Sequence, residues 1–161
     1  MPLSCPPQGP TDRRRQRWLS VLATSPPERV AALYDALAET LGPLPRHDVL
    51  RRPESGLVMV RGRISGTGGP FCLGEMTTTR AAVRLETGQV GIGYVAGRHS
   101  GHAEIVAIVD ALGQHDQWRE PVESLLVAPL EAEAMTRHQA HAARAAATRV
   151  EFFTVAREGG A

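Results

Sequence analysis

The hydrophobic period of this 161-residue chain changes twice, and that limits the fold more than any single motif does. Up to Leu41 apolar residues recur at helical spacing, from about Asp48 to Ala96 they alternate, and from His102 helical spacing returns. Trp18, Leu19, Val21 and Leu22 fit one face of a first helix, stopped by Pro26 and Pro27. The second is predicted to start with Ser25 as N-cap and Glu28 completing a capping box. Its stripe is Val30, Leu33, Leu37 and Leu41, and Gly42-Pro43 ends it.

Three alternating runs follow. In LVMVRGRI (57–64), Val58, Val60 and Ile64 point one way and Met59, Arg61 and Arg63 the other. In TRAAVRLE (79–86), Ala81, Val83 and Leu85 alternate with Arg80, Ala82 and Arg84; in QVGIGYVA (89–96), Val90, Ile92, Tyr94 and Ala96 share a face. Thr87-Gly88 is a hairpin signal, so the runs form an antiparallel meander. Ile105, Ile108, Val109 and Leu112 mark a helix over 102–114, an alanine-rich helix spans Glu131 to Ala147, and RVEFFTVAR (149–157) reads as a last strand joining the sheet. The expectation is an α+β fold: an antiparallel sheet of three to four strands, meander plus C-terminal strand, packed with N-terminal, middle and C-terminal helices. One domain over 13–158 should follow a disordered leader over 1–12, rich in proline and glycine.

Composition removes several chemistries. All 18 basic residues are arginine, and the chain contains neither lysine nor asparagine. No internal Schiff base, Walker lysine or N-glycosylation acceptor can therefore exist. Cys5 and Cys72 make no disulfide framework, and no run approaches the length of a membrane span or signal peptide, so a cytoplasmic protein is the expectation. The RRRQR cluster at 13–17 is thin as a nucleic-acid footprint and reads better as a solvated helix start.

The glycine-rich stretch SGTGGPFCLGEMTTTR (65–80) raises the question of a phosphate cradle. It lacks lysine and links strand to strand, so it reads as a connection of about ten residues, longer than an ordinary hairpin loop. Beside it, Arg61, Arg63, Arg80 and Arg84 are predicted to share one face of the meander. That face is either solvated or covered by another chain, or it binds a polyphosphate or phosphonate through the planar guanidinium fork. GIGYVA (91–96) matches a dinucleotide expression but sits within a strand. The pairs His99/His102, with Glu104 two residues further on, and His138/His141 have metal-ligand spacing, but nothing supplies an obvious third and fourth ligand for the second pair, and Ser100 lacks a nucleophile elbow.

Taken in order, GTG-x-x-F-x-x-G from Gly66, TRAAVRL from Thr79, GR-x-x-x-HAE from Gly97, DAL from Asp110, APL from Ala128 and RVEFFT from Arg149 resemble the G subunit of the bacterial carbon-phosphorus lyase system. RQRWLSVLA and GLVMVRGRI add to the resemblance, which covers about residues 15 to 157. It implies membership of a cytoplasmic core complex with subunits I, H and J. There, with H, I and L, ribose triphosphate passes from ATP to a phosphonate with release of adenine, forming alpha-D-ribose 1-methylphosphonate 5-triphosphate. Catalysis is usually placed on subunit I, with this subunit its non-catalytic assembly partner; ATP and Mg would belong to the complex, and no cofactor or metal to this subunit alone. The alternative is a direct contribution to the active site, binding triphosphate or phosphonate through Arg80 and Arg84.

Carried over residue by residue, the resemblance marks Thr67, Thr79, Arg80, Arg84, Arg98, His102 and Glu104. Thr79, Arg80, Arg84 and Arg98 are the substrate-binding candidates, and His102 and Glu104 the acid-base candidates; the pair could equally be a structural latch near the chain reversal at Gly97 to Gly101. The sequence departs from the family pattern at His99, where an acidic residue is commoner, and at His138 and His141.

Overall fold

The computed structural model describes residues 10–63 and 68–148. Helices α1 (Pro10–Thr24) and α2 (Pro27–Leu41) lead into strands β1 (His47–Arg63), β2 (Pro70–Leu85) and β3 (Val90–Ala96). Helix α3 (Ser100–Gly113) follows, then α4 (Asp116–Val122), a π-helical turn over Glu123–Val127, and α5 (Ala128–Ala147). The sheet is antiparallel in the order β1-β2-β3, giving the expected α+β fold. The N-terminal part of the 1–12 segment and the expected strand over 149–157 lie outside the described residues; α1 begins at Pro10.

Helix α3 is the centre of the molecule. His102, Ala103 and every residue from Val106 to Gly113 are buried, far more than an amphipathic stripe. It lies directly on β3 because Gly91 and Gly93 turn toward it. A Cβ on Gly91 would sit 1.9 Å from the Ala107 carbonyl oxygen, and one on Gly93 1.8 Å from that of Ala103. GIGYVA is thus a seat for a helix. On the other side of α3, the Trp18 indole covers Gly113, where a Cβ would meet Trp18 Cζ3 at 2.1 Å. Leu22, Val30, Leu37, Val83, Leu85, Val95, Leu126 and Leu130 complete the core. Each such side chain contributes about 1.5–3 kcal/mol on burial.

Three expectations need correction. Ser25 does not cap α2: Pro26 occupies that position, the Ser25 N–H instead donates to Val21 O at 3.1 Å, closing α1, and among the described residues its buried Oγ has no hydrogen-bond partner. With only Ser25 and Pro26 between the helices, Ser25 is spent on the first. Secondly, the connection after β1 is not about ten residues long. It spans 64–69, and PFCLGEMTTT is strand, so β1 and β2 run as a two-stranded arm past the end of β3. On β3, Val90, Ile92, Tyr94 and Ala96 share a face as expected, and it is the solvent face; Gly91, Gly93 and Val95 turn inward. Finally, the four strand arginines do not share a face. Arg80 pairs across from Glu54, whereas Arg61 lies an odd number of residues further along β1 and pairs with Cys72. Arg61 and Arg63 therefore stand on the side of Thr79, opposite Arg80 and Arg84.

Candidate functional site

The residues marked by the sequence fall into two groups separated by the sheet. Thr79, Arg98, His102 and Glu104 lie around the turn from β3 into α3, while Arg80 and Arg84 project from the face away from the helices.

At the turn, Thr79 is fully buried; its Oγ1 donates to Gly97 O at 2.6 Å and lies 3.0 Å from Ser55 Oγ. It ties β2 to both neighbours and holds the chain where Gly97 takes a left-handed φ of 84°. His102 is 6% exposed, and its Nε2 donates to Leu22 O at 2.9 Å, tying α3 to α1. Burial pushes the imidazole below its ordinary value; the bond to the Leu22 carbonyl partly offsets that, and His99 adds to the depression. Neutral His102 is thus a latch between helices in this conformation. Glu104, half-buried one turn into α3, lies near enough to Tyr34 to help burial raise that phenol above its ordinary value. Arg98 is exposed in the turn itself.

On the open face, Arg80 Nε donates to Glu54 Oε1 at 2.8 Å, and Arg51 Nη1 reaches the same oxygen at 2.5 Å. These two bonds hold the exposed Glu54 carboxyl below its ordinary value. Among the described residues no carboxylate pairs with Arg84. Tyr94 and Val90 stand across from Arg80 and Arg84 on β3, so apolar and cationic side chains interleave.

The site that sequence reasoning missed is at the sheet's edges. The β3 edge is closed by α3: Ile92 N–H donates to Asp110 Oδ2 at 2.9 Å, and Gln114 Nε2 donates to Val90 O at 2.8 Å. Asp110 is itself gripped by Arg15, from Nε to Oδ1 at 2.8 Å and Nη2 to Oδ2 at 2.7 Å. Beside this pair a cleft of about 150 Å³ opens between Arg14, Trp18, Gly113 and Arg119. Arg17 bridges Glu123 and Glu131, so the N-terminal arginine cluster is partly consumed by internal pairs. Only the DAL triplet pointed to Asp110, without its role; its partners lie 18 and 95 residues away.

The β1–β2 arm carries exposed Leu57, Met59, Phe71, Leu73 and Met76. Among the described residues, every exposed large apolar side chain except Leu125 and Met135 lies on the sheet. Monomers rarely leave such an area open, and areas of this kind are characteristic of interaction surfaces. No three His, Cys, Asp or Glu side chains among the described residues converge on a metal-sized site. Nor is any described helix long and apolar enough to cross a membrane.

An α+β body with a helix-covered inner sheet face and an apolar outer face and arm defines a component of a larger assembly. Comparison gives that class a family: the family model described as "Phosphonate metabolism protein PhnG" matches residues 13–158. A relative from Rhizobium meliloti (strain 1021), named alpha-D-ribose 1-methylphosphonate 5-triphosphate synthase subunit PhnG, is 42% identical over 147 residues, covering 89% of each chain. The chain belongs to the PhnG family.

Proposed function

We propose that this chain is a subunit of the cytoplasmic complex that transfers ribose triphosphate from ATP to a phosphonate, releasing adenine and forming alpha-D-ribose 1-methylphosphonate 5-triphosphate. It acts there with subunits H, I and L, as a non-catalytic partner that buries its sheet against subunit I within a core that also contains H and J. ATP and Mg²⁺ belong to the assembled complex. The observation carrying this reading is the concentration of exposed apolar side chains on the sheet, joined to family membership. His102 and Thr79, two of the residues best placed by motif for chemistry, are occupied by backbone carbonyls. The test is reconstitution: complexes carrying Arg80→Ala and Arg84→Ala should retain transferase activity, whereas omission of the chain should abolish it.

The second reading, a direct contribution to triphosphate or phosphonate binding, is favoured by Arg84, exposed and without a carboxylate partner among the described residues. Under it, the same double variant assembles normally and loses nucleotide affinity by about tenfold or more for each charge-assisted contact removed.

A further inference from the structure

The two edges of the sheet differ. Leu85 N donates to Gln89 O and Gly97 N to Thr77 O, so odd-numbered residues of β2 turn their backbone groups toward β3 and even-numbered ones toward β1. In β1 the residues across from the even ones, Gly56 and Val58, complete the ladder. Ser55, Leu57 and Met59, across from Thr79, Thr77 and Glu75, turn their N–H and C=O groups outward. On β3 the corresponding outward groups of Ile92 and Val90 are met by Asp110 and Gln114. On β1, among the described residues, no side chain or backbone group meets them. Proteins blunt exposed strand edges; here one is plugged from within, and the other, longer one is open among the described residues.

We infer that the outward edge of β1 at Ser55, Leu57 and Met59 accepts an extended strand from a partner subunit, a strand that is apolar with a carboxylate near its end. The inference rests on the assembly role proposed above and gives that role a contact. Main-chain bonds to the open edge supply the affinity, as in other cases of strand addition. The side chains set the chemistry. Leu57 and Met59 offer exposed apolar neighbours on one side, and half-buried Val58 and Val60 on the other. Arg61 and Arg63 follow along β1, and Glu75 is the sole carboxylate in the facing stretch Pro70–Thr77 of β2, so a carboxylate is the complementary charge.

Two other occupants fit less well. The chain's own C-terminal stretch follows α5, whose residues from His138 to Ala147 are all exposed. From Leu130, its buried residue, that helix carries the chain about 25 Å out of the body. A second copy paired about Leu57 would bring Arg63 of each copy toward Arg51 of the other, a like-charge contact.

Proline tests this, because at 57 or 59 it removes an outward donor without touching the β1–β2 ladder. Leu57→Pro and Met59→Pro should leave the isolated chain's circular dichroism and thermal midpoint close to wild type, yet weaken co-assembly with the co-expressed partner subunits by about tenfold or more. Val58→Pro, which breaks the ladder, should destabilise the chain on its own. Backbone amides 57 and 59 should exchange rapidly in the isolated chain and be protected in the complex. Normal co-assembly of both folded proline variants overturns the inference and leaves the assembly role standing. A wild-type chain that fails to join the partner subunits sinks both. Protection of those amides in the isolated chain also overturns it: lost on truncation after Thr148, it assigns the edge to the chain's own terminus; rising with concentration, to a second copy.

Discussion

Arg15 on α1 and Asp110 on α3 form a two-bond ion pair that does more than join helices, because Asp110 also accepts the Ile92 N–H from β3. The Asp110 side chain is 1% exposed and that of Arg15 37%. The two partners are therefore not equivalent. Arg15→Ala strands a buried carboxylate and should cost about 3 kcal/mol. Asp110→Asn leaves a partly solvated guanidinium and an amide oxygen still able to accept from Ile92, so it should cost less. Urea denaturation of both variants checks the order; equal costs would show that the pair's charge is irrelevant.

Gly91 and Gly93 should not tolerate a methyl group. The atoms a new Cβ would strike are carbonyl oxygens of α3, fixed by its hydrogen bonds. Gly91→Ala or Gly93→Ala should destabilise by about 3 kcal/mol or prevent folding, whereas Gly56→Ala, with nothing within 4 Å, should be close to neutral. Thermal midpoints of the three proteins make the comparison.

Acid should loosen the contact between α1 and α3. The imidazole of His102 is depressed by burial, so below the ordinary histidine value of about 6.5 the unfolded chain binds a proton more readily than the folded one. Its contribution is complete above that pH and is lost as pH falls toward the depressed folded value. His102→Gln, which keeps a donor for Leu22 O, should flatten the dependence of stability on pH below about 6.5. An unchanged slope would remove His102 as its source.

Thr79→Val should cost about 1–2 kcal/mol, because it strips the buried hydroxyl from Gly97 O and Ser55 Oγ while preserving shape. Thr79→Ser should recover most of the loss. If Thr79→Val instead leaves stability unchanged but lowers the activity of the assembled complex, the hydroxyl serves substrate.

The order of elements was legible in the sequence because burial imposes its own period: Val30 and Leu37 on α2 and Val83 and Leu85 on β2 stand where alternation and helical spacing put them. Strand length was not legible. Pro53 stands inside β1 and Gly74 inside β2, residue types that weaken a strand pattern, and register shifts between Val49 and Arg51, Arg51 and Glu54, and Val60 and Arg61 interrupt strict alternation while pairing continues. The short α4, with Pro121 inside it, carries too little periodicity to be seen. On β3 Val90, Ile92 and Tyr94 are the exposed residues, and the buried face is marked by Val95 and by two glycines that carry no hydrophobic signal. Of the candidate residues, spacing places His102, but not Thr79, near the reversal at Gly97 to Gly101, and the carbonyl partners of both come from separate segments. Edge capping by Asp110 and Gln114 depends on how α3 crosses β3, which no local pattern encodes.

The unequal edges also decide what the molecule cannot become. Head-to-tail growth of a sheet through many copies needs an open edge on each side, so that β1 of one copy meets β3 of the next. With Ile92 and Val90 already engaged by α3, that reaction has no second site, and pairing of two copies through β1 would close at a dimer. A chain whose β3 edge is already engaged by its own helix thus carries its own terminator against fibre formation.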